Sequence, residues 1–312
     1  MNLIIGTRGS KLALWQANWV KTELERLHAG LIVTLNIIKT TGDKILDVPL
    51  AMVGGKGLFV KEIEEALLSN EADIAVHSIK DVPVVFPDGL ILPVICKREI
   101  PNDALILRDS KDKIINDAFN NLPIGARVGT SSLRRSSQLL NIRPDLNIMQ
   151  LRGNVDTRIR KLDSNEYDAI ILAGAGLSRL GLSKRITQLL SFDISLPAIG
   201  QGAIGIECRA NDSKIMELIA PLNHQESYIC VNTERAFLKR LEGGCQIPIA
   251  GHAVIESDQV VSIDGLVASI DGKTIIREQM KADISKYERI GIDLAERLLI
   301  LGAGEILSSI IK

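Results

Sequence analysis

Ile74-Ala75-Val76-His77-Ser78-Ile79-Lys80-Asp81-Val82-Pro83 is an apolar run that ends in charge. Asp73–Val76 reads as a short buried strand, because an unbroken apolar run of this length suits a strand covered on both faces. Lys80 and Asp81 follow just beyond its carboxyl end, where open α/β sheets bind their ligands. An Asp there can serve as a general acid or stabilise a developing cation. The plainer alternative is a loop ion pair between Lys80 and Asp81, although adjacent side chains on an extended chain point apart.

On either side of this stretch, strands alternate with helices. Leu3–Ile5 reads as a strand. Ser10 can cap a helix whose apolar face is Ala13, Ala17, Val20, Leu24 and Leu27, with Gly30 ending it. Leu31–Ile38 is the next strand, and Val60, Ile63 and Leu67 mark a helix after the turn Gly54-Gly55-Lys56-Gly57. The rhythm restarts near residue 105. Arg127-Val128 is a short strand, and Gly129-Thr130-Ser131-Ser132 opens a helix that stops before Pro144. Leu146–Leu151 is a strand, a helix begins near Val155, and Asp168–Ala173 is a strand closed by Gly174-Ala175-Gly176. Such alternation predicts parallel sheets with helices on both faces. The last third differs. Helical spacing at Ile229, Phe237 and Leu241 runs into Gly243-Gly244. Strand-like runs follow at Ala250–Ile255, Val260–Ile270 and Thr274–Met280, with Asp271-Gly272 as a hairpin turn. Helical runs near Ile292–Ile300 and Glu305–Ile311 complete a small α+β domain with an antiparallel sheet.

Composition narrows the function. The 312 residues suit two or three domains, and 46% hydrophobic content supports a sizeable core. A formal charge of −1 and only 3% aromatics speak against nucleic acid and anionic membranes. No apolar stretch approaches a membrane span, and Met1-Asn2-Leu3-Ile4-Ile5-Gly6 enters a strand without a basic leader, so a cytoplasmic protein is expected. Cys96, Cys208, Cys230 and Cys245 form no C-x-x-C pair, which suits reduced thiols. His28, His77, His224 and His252 lack metal-ligand spacing, so no metal site is expected.

Cations gather at strand ends: Arg8, Lys80, Arg134 with Arg135, Arg152 with Arg158, and Arg179. Gly129-Thr130-Ser131-Ser132-Leu133-Arg134-Arg135 offers helix-start N–H groups, hydroxyls and two guanidiniums, which suit a carboxylate or phosphate. A capped surface helix with solvated arginines is the alternative. Together, in a chain of near-zero charge, these cations point to a substrate with many negative charges. Cys245 lies in Leu241-Glu242-Gly243-Gly244-Cys245-Gln246-Ile247-Pro248, where two glycines leave the thiol uncrowded, as a nucleophile or attachment point requires. A buried inert thiol is the alternative there.

These blocks resemble the porphobilinogen deaminase family. The likeness runs in order through Val53-Gly54-Gly55-Lys56-Gly57-Leu58-Phe59, Val76–Pro83, Val128–Arg135, Leu151–Arg158, Leu196-Pro197-Ala198-Ile199-Gly200-Gln201-Gly202-Ala203 and Leu241–Cys245. The resemblance implies an α/β fold with two periplasmic-binding-protein-like lobes of mixed, mostly parallel sheets, plus a small α+β C-terminal domain. The lobes would span residues 1–98 with 200–220, and 103–196, with an active cleft between them; the C-terminal domain would span 224–312. It implies a dipyrromethane cofactor bound covalently to Cys245, and Asp81 as the catalytic carboxylate. Arg8, Ser10, Lys80, Ser132, Arg134, Arg135, Arg152 and Arg158 would bind the cofactor. Arg8, Lys56, Phe59, Arg152, Arg158, Arg179 and Gln201 would bind the substrate porphobilinogen. A monomeric cytoplasmic enzyme is expected, with neither nucleic acid nor membrane as partner. Met52, in place of a Lys found in some relatives, and Ile100, in place of a polar residue before Pro101, depart from the family pattern. The rival reading is a non-catalytic binding-protein-like receptor, which a two-lobe pattern alone would permit.

Overall fold

The computed structural model describes residues 1–44, 60–108, 114–242 and 247–310. In chain order its elements are β1 (Asn2–Arg8), α1 (Lys11–Leu27), β2 (Ile32–Ile38), α2 (Thr41–Lys44), α3 (Lys61–Leu68), β3 (Ile74–Ser78), β4 (Leu90–Ile95), β5 (Asp103–Leu107), β6 (Arg127–Gly129), α4 (Leu133–Ile142), β7 (Asn147–Met149), α5 (Val155–Asp163), β8 (Ala169–Ala173), α6 (Gly174–Arg179), β9 (Gln188–Leu189), β10 (Ile204–Arg209), α7 (Ser213–Ile219), α8 (Gln225–Arg240), β11 (Ile249–Ser257), β12 (Val260–Ala268), β13 (Ile275–Asp283), α9 (Tyr287–Leu298) and α10 (Gly304–Ile310). The chain divides into two compact units, Met1–Glu99 with Ala203–Tyr228, and Ile100–Gly202 with Ile229–Lys312.

The first unit is built on a five-stranded sheet of order β2-β1-β3-β10-β4. β1 runs parallel to β2 and β3, whereas β10 lies antiparallel between β3 and β4. Alternation of side chains decides what each face meets. Leu3, Ile5, Ile74, Val76 and Ile206 turn to one face and pack with Ala17, Val20 and Leu24 of α1. Ala75 and Leu90 turn to the other, against Ile63 and Leu67 of α3. Burying each such Leu or Ile stabilises the fold by about 1.5–3 kcal/mol. Ser10 caps α1, its hydroxyl accepting from the Ala13 N–H at 3.3 Å. The apolar face of α1 is narrower than the spacing predicts: Leu27 is 38% exposed because the helix ends there. Gly205 lies where a Cβ would collide with Ile79, which lets β10 close against the turn that follows β3.

The second unit holds a sheet of order β7-β6-β8-β5-β9 and a three-stranded sheet of order β11-β12-β13. β6 runs parallel to β7 and β8, while β5 is antiparallel to β8 and β9. Parallel and antiparallel pairings are thus evenly divided in each five-stranded sheet, where strand–helix alternation alone predicts parallel ones. The expected glycine closure after β8 is instead a helix start. Gly174 begins α6 with its N–H on Asn102 O at 3.0 Å, and a Cβ there would approach that carbonyl to 3.1 Å. The C-terminal hairpin forms where Asp271-Gly272 predicts it, with Gly272 at φ +72°. Within this unit the hairpin docks on α4: the Asn141 side chain donates to Gly272 O at 2.8 Å. Phe237 of α8 and Leu294 of α9 are wholly buried against the three-stranded sheet.

Candidate active site

In the first unit, β3 ends at Ser78 and Ile79–Asp81 forms a single 3-10 turn. Ile79 is buried and anchors the turn, its N–H donating to Ala203 O at 3.1 Å. Asp81 is exposed and Lys80 half-buried. β1 ends alongside, so that Arg8, Ser10 and Asp81 line one small pocket, with His77 and Ser78 also in its wall. Gln16 of α1, buried, reaches across to Ser78, their side chains 2.8 Å apart. The carboxylate predicted from the strand-end motif therefore stands at a pocket that also holds a predicted cation.

Behind that wall lie charges that the apolar run conceals. His77 Nε2 is 2.8 Å from Glu207 Oε2, both groups buried. Glu64 of α3 is buried beside them. Its carboxyl is pushed up to about 7, by burial first and then by the nearby Glu207 charge, with His77 acting the other way.

The second unit presents a different picture. Arg134 and Arg135, in the first turn of α4, are 5% and 6% exposed, and both close on Asp103 at the start of β5. Arg134 Nη1 donates to Asp103 Oδ2 at 2.8 Å and to Leu196 O at 2.7 Å. Arg135 donates twice to Asp103 Oδ1, at 2.9 and 2.7 Å. The Ser195 hydroxyl and the Gln201 amide complete the shell at 2.7 and 3.0 Å. Burial works to raise the Asp103 carboxyl, but Arg134 and Arg135 hold it far below the usual carboxylate range. Burial likewise draws the Arg134 guanidinium down, with Asp103 opposing. These two cations are thus neither solvated surface arginines nor open ones; each meets a buried counter-charge. Asp103→Asn is expected to cost about 3–5 kcal/mol, because it strands buried arginines without a partner. A urea melt checks this: a midpoint like that of the unsubstituted chain is the contrary result.

Ser132 is the N-cap residue of α4, and its N–H donates to Thr130 Oγ1 at 3.2 Å. Ser131 ties the end of β6 to the end of β7, its hydroxyl 2.9 Å from Leu151 O. That tie fixes the segment in which Arg152 stands. Arg158 Nε donates to Gly153 O at 2.7 Å, and Gly153 takes φ +106° to turn the chain back. Arg179 Nη2 donates to Gly202 O at 2.7 Å, and the wholly buried Gln201 holds Pro101 O at 2.6 Å. Lys56, Phe59, Met52 and Cys245 lie outside the described residues. Cys96, Cys208 and Cys230 are buried. Burial above all, with Asp212 adding to it, pushes the Cys208 thiol up to about 11. Among the described residues no cluster could hold a metal ion, and no helix is long and apolar enough to cross a membrane.

Asp103 and Glu207 were not among the residues expected from sequence. Each had a signal, a carboxylate inside an apolar strand run (Asp103-Ala104-Leu105-Ile106 and Ile204-Gly205-Ile206-Glu207-Cys208), where an unpaired charge would be costly.

Residues 3–217 match the family model described as "Porphobilinogen deaminase, dipyromethane cofactor binding domain", and residues 228–300 match "Porphobilinogen deaminase, C-terminal domain". The porphobilinogen deaminase of Syntrophotalea carbinolica is 56% identical over 99% of this chain and 96% of its own length. That of Geobacter metallireducens is 55% identical over 99% and 94%. Among solved structures, a TRAP periplasmic solute binding protein from Desulfovibrio salexigens aligns over 100% of this chain and 94% of its own, at 11% identity and a TM-score of 0.44, too slight a likeness to carry an argument.

Proposed function

The chain belongs to the porphobilinogen deaminase family, and on that premise we propose which of its residues carry the reaction. The reaction is the stepwise deaminating polymerisation of four porphobilinogen units into hydroxymethylbilane, a transferase step of tetrapyrrole biosynthesis. Asp81 is the catalytic carboxylate. It holds the ammonium end of the substrate, assists its departure and stabilises the positively charged azafulvene left behind. The observation that carries this is the exposed Asp81 carboxylate in one pocket with Arg8 and Ser10 at the carboxyl ends of β3 and β1. A carboxylate fixed beside a forming cation lowers the energy of that cation most where water is scarce.

The family model names a dipyrromethane cofactor, and the donors described above fit a molecule bearing several carboxylates. Bound, it supplies the free pyrrole α-carbon on which the chain grows. Cys245 is the attachment point in this reading; the buried state of Cys96, Cys208 and Cys230 supports it by leaving those thiols without access. Lys80, Ser132, Arg152 and Arg158 bind its acetate and propionate groups, together with Arg8 and Ser10. Arg134 and Arg135 serve the same end from within, their pairing with Asp103 holding the start of α4 rigid. Arg8, Lys56, Phe59, Arg152, Arg158, Arg179 and Gln201 receive the substrate. The segment after residue 224 is the cofactor-attachment domain, and the enzyme is a cytoplasmic monomer.

If different arginines meet different pyrroles, their loss stalls the chain at different lengths. Removing a hydrogen bond to a charged group costs about 1.5–3 kcal/mol, or roughly 10- to 100-fold in the step it serves. Arg8→Leu, Arg152→Leu and Arg179→Leu are expected to give three distinct ladders of enzyme-bound intermediates by mass. Identical ladders with uniformly weaker substrate binding would replace this reading with a general electrostatic attraction.

A further inference from the structure

His77 and Glu207 stand 130 residues apart in sequence and meet by strand pairing. β3 and β10 are antiparallel with His77 opposite Gly205 and Ala75 opposite Glu207, so the two side chains lie diagonally on the face covered by α3. Gly205 opposite His77 carries no side chain of its own, and Ile79 fills the place a Cβ would take. Glu207 holds Nε2 of the ring at 2.8 Å. No other hydrogen bond involves the ring among the described residues, so Nδ1 is the nitrogen left for a molecule in the pocket that His77 lines. Glu207 Oε1 and Glu64 Oε1 are buried without a hydrogen-bond partner. Buried polar atoms are normally paired, and leaving one unpaired is costly. Two bare carboxylate oxygens beside a histidine, immediately behind the Asp81 pocket, are therefore a costly feature that Asp81 chemistry alone does not explain.

We propose that His77 is the proton-accepting residue of the Asp81 pocket, with Glu207 holding its ring in the accepting tautomer. The proposal rests on Asp81 marking the reaction site. Each unit added exchanges one pyrrole α C–H bond for one C–C bond. The C–N electron pair leaves with ammonia, the C–H electron pair returns to the ring, and a proton must be taken up. Nδ1 accepts that proton, the imidazolium is balanced by Glu207, and the proton then passes to the departing ammonia, which leaves as ammonium. His77 ends each cycle neutral. Glu207, by taking Nε2, fixes which ring nitrogen faces the pocket. Glu64, protonated up to about pH 7, keeps a second negative charge away from Glu207.

The other charges around the set are few. Arg209 of β10 is engaged at the far end of α3, with Leu67 O and Ala72 O. Glu62 and Glu65 belong to α3 itself, and β4 brings no titratable side chain. β1 brings Arg8 at its end, the turn after β3 brings Lys80 and Asp81, and α1 brings Gln16, with Lys11 in its exposed first turn.

The experiment compares the holoenzyme with H77Q, E207Q and D81N, with cofactor content checked by intact mass. H77Q is expected to lower single-turnover rates about 10²-fold, the usual worth of a general base, and to flatten the acidic limb of the pH profile. E207Q should also lower the single-turnover rate about 10-fold or more, since the ring loses the partner that fixes its tautomer and balances the imidazolium. Nitrogen NMR of His77, assigned by comparison with H77Q, should show the proton on Nε2 and a bare Nδ1 in the active pH range. A merely structural histidine would change stability and leave the limb in place. A slow D81N beside an H77Q of normal rate and profile overturns the role of His77, whereas a normal D81N overturns the site itself. Should H77Q not fold, a normal rate in E207Q, or a protonated Nδ1 throughout, overturns the proposal.

Discussion

Asp81→Asn is expected to lower turnover by about 10²–10³-fold or more, because it keeps the shape of the side chain while deleting its charge. Stabilising charge in a transition state is worth roughly 3–4 kcal/mol per well-placed group. Asp81→Glu keeps the charge and misplaces it by one methylene, so measurable activity should survive, since misplacement costs less than deletion. Neither change should unfold the protein. Asp81 is exposed, and its turn is held by backbone bonds, Ile79 N–H to Ala203 O at 3.1 Å and Val82 N–H to Ile79 O at 3.0 Å, which do not involve the carboxylate. Assembling the cofactor can draw on the same carboxylate, so the variants are best supplied with preformed tetrapyrrole. Product is then followed in a single turnover. A near-normal rate for Asp81→Asn, with cofactor verified by mass, removes Asp81 from the chemistry and turns attention to Lys80 and the arginines.

Cys245→Ser should abolish activity altogether, because a chain with no anchor has nothing to grow on. A serine hydroxyl is a much poorer nucleophile than a thiol near neutral pH, so it should not take the cofactor in its place. The informative control is the set of other cysteines. Cys96 and Cys208 are wholly buried and Cys230 is 8% exposed. Cys208 also has its thiol pushed up to about 11, chiefly by burial, which leaves almost no thiolate at neutral pH. Cys96→Ser, Cys208→Ser and Cys230→Ser should therefore retain the covalent two-pyrrole adduct in intact mass, at some cost in core packing. A normal adduct on Cys245→Ser would move the attachment to another residue.

Local signals were legible wherever neighbours in sequence are neighbours in space. Ser10 capping α1, Ser132 opening α4 and Gly272 turning the C-terminal hairpin each depend on residues a few positions away. The same holds for Asp81, which a strand of five residues and one 3-10 turn deliver just past the carboxyl end of the central strand β3. The motifs in family order carried the activity as well, since that assignment needs residue identity and spacing and no contact.

What only the tertiary structure decided are the pairings across long stretches of chain. Strand–helix alternation says nothing of where a strand inserts or in which direction it runs, and β5 and β10 lie antiparallel to neighbours in sheets that alternation predicts to be parallel. Arg134 and Arg135 read as cations open to an anion until Asp103, about thirty residues earlier, is brought beneath them. Glu207 reads as a misfit in an apolar strand until β10 inserts beside β3 and places it on His77. A sequence records which side chains need a partner, because burial makes an unpaired charge expensive, but the partner's identity is set by chain crossings that leave no mark in local spacing.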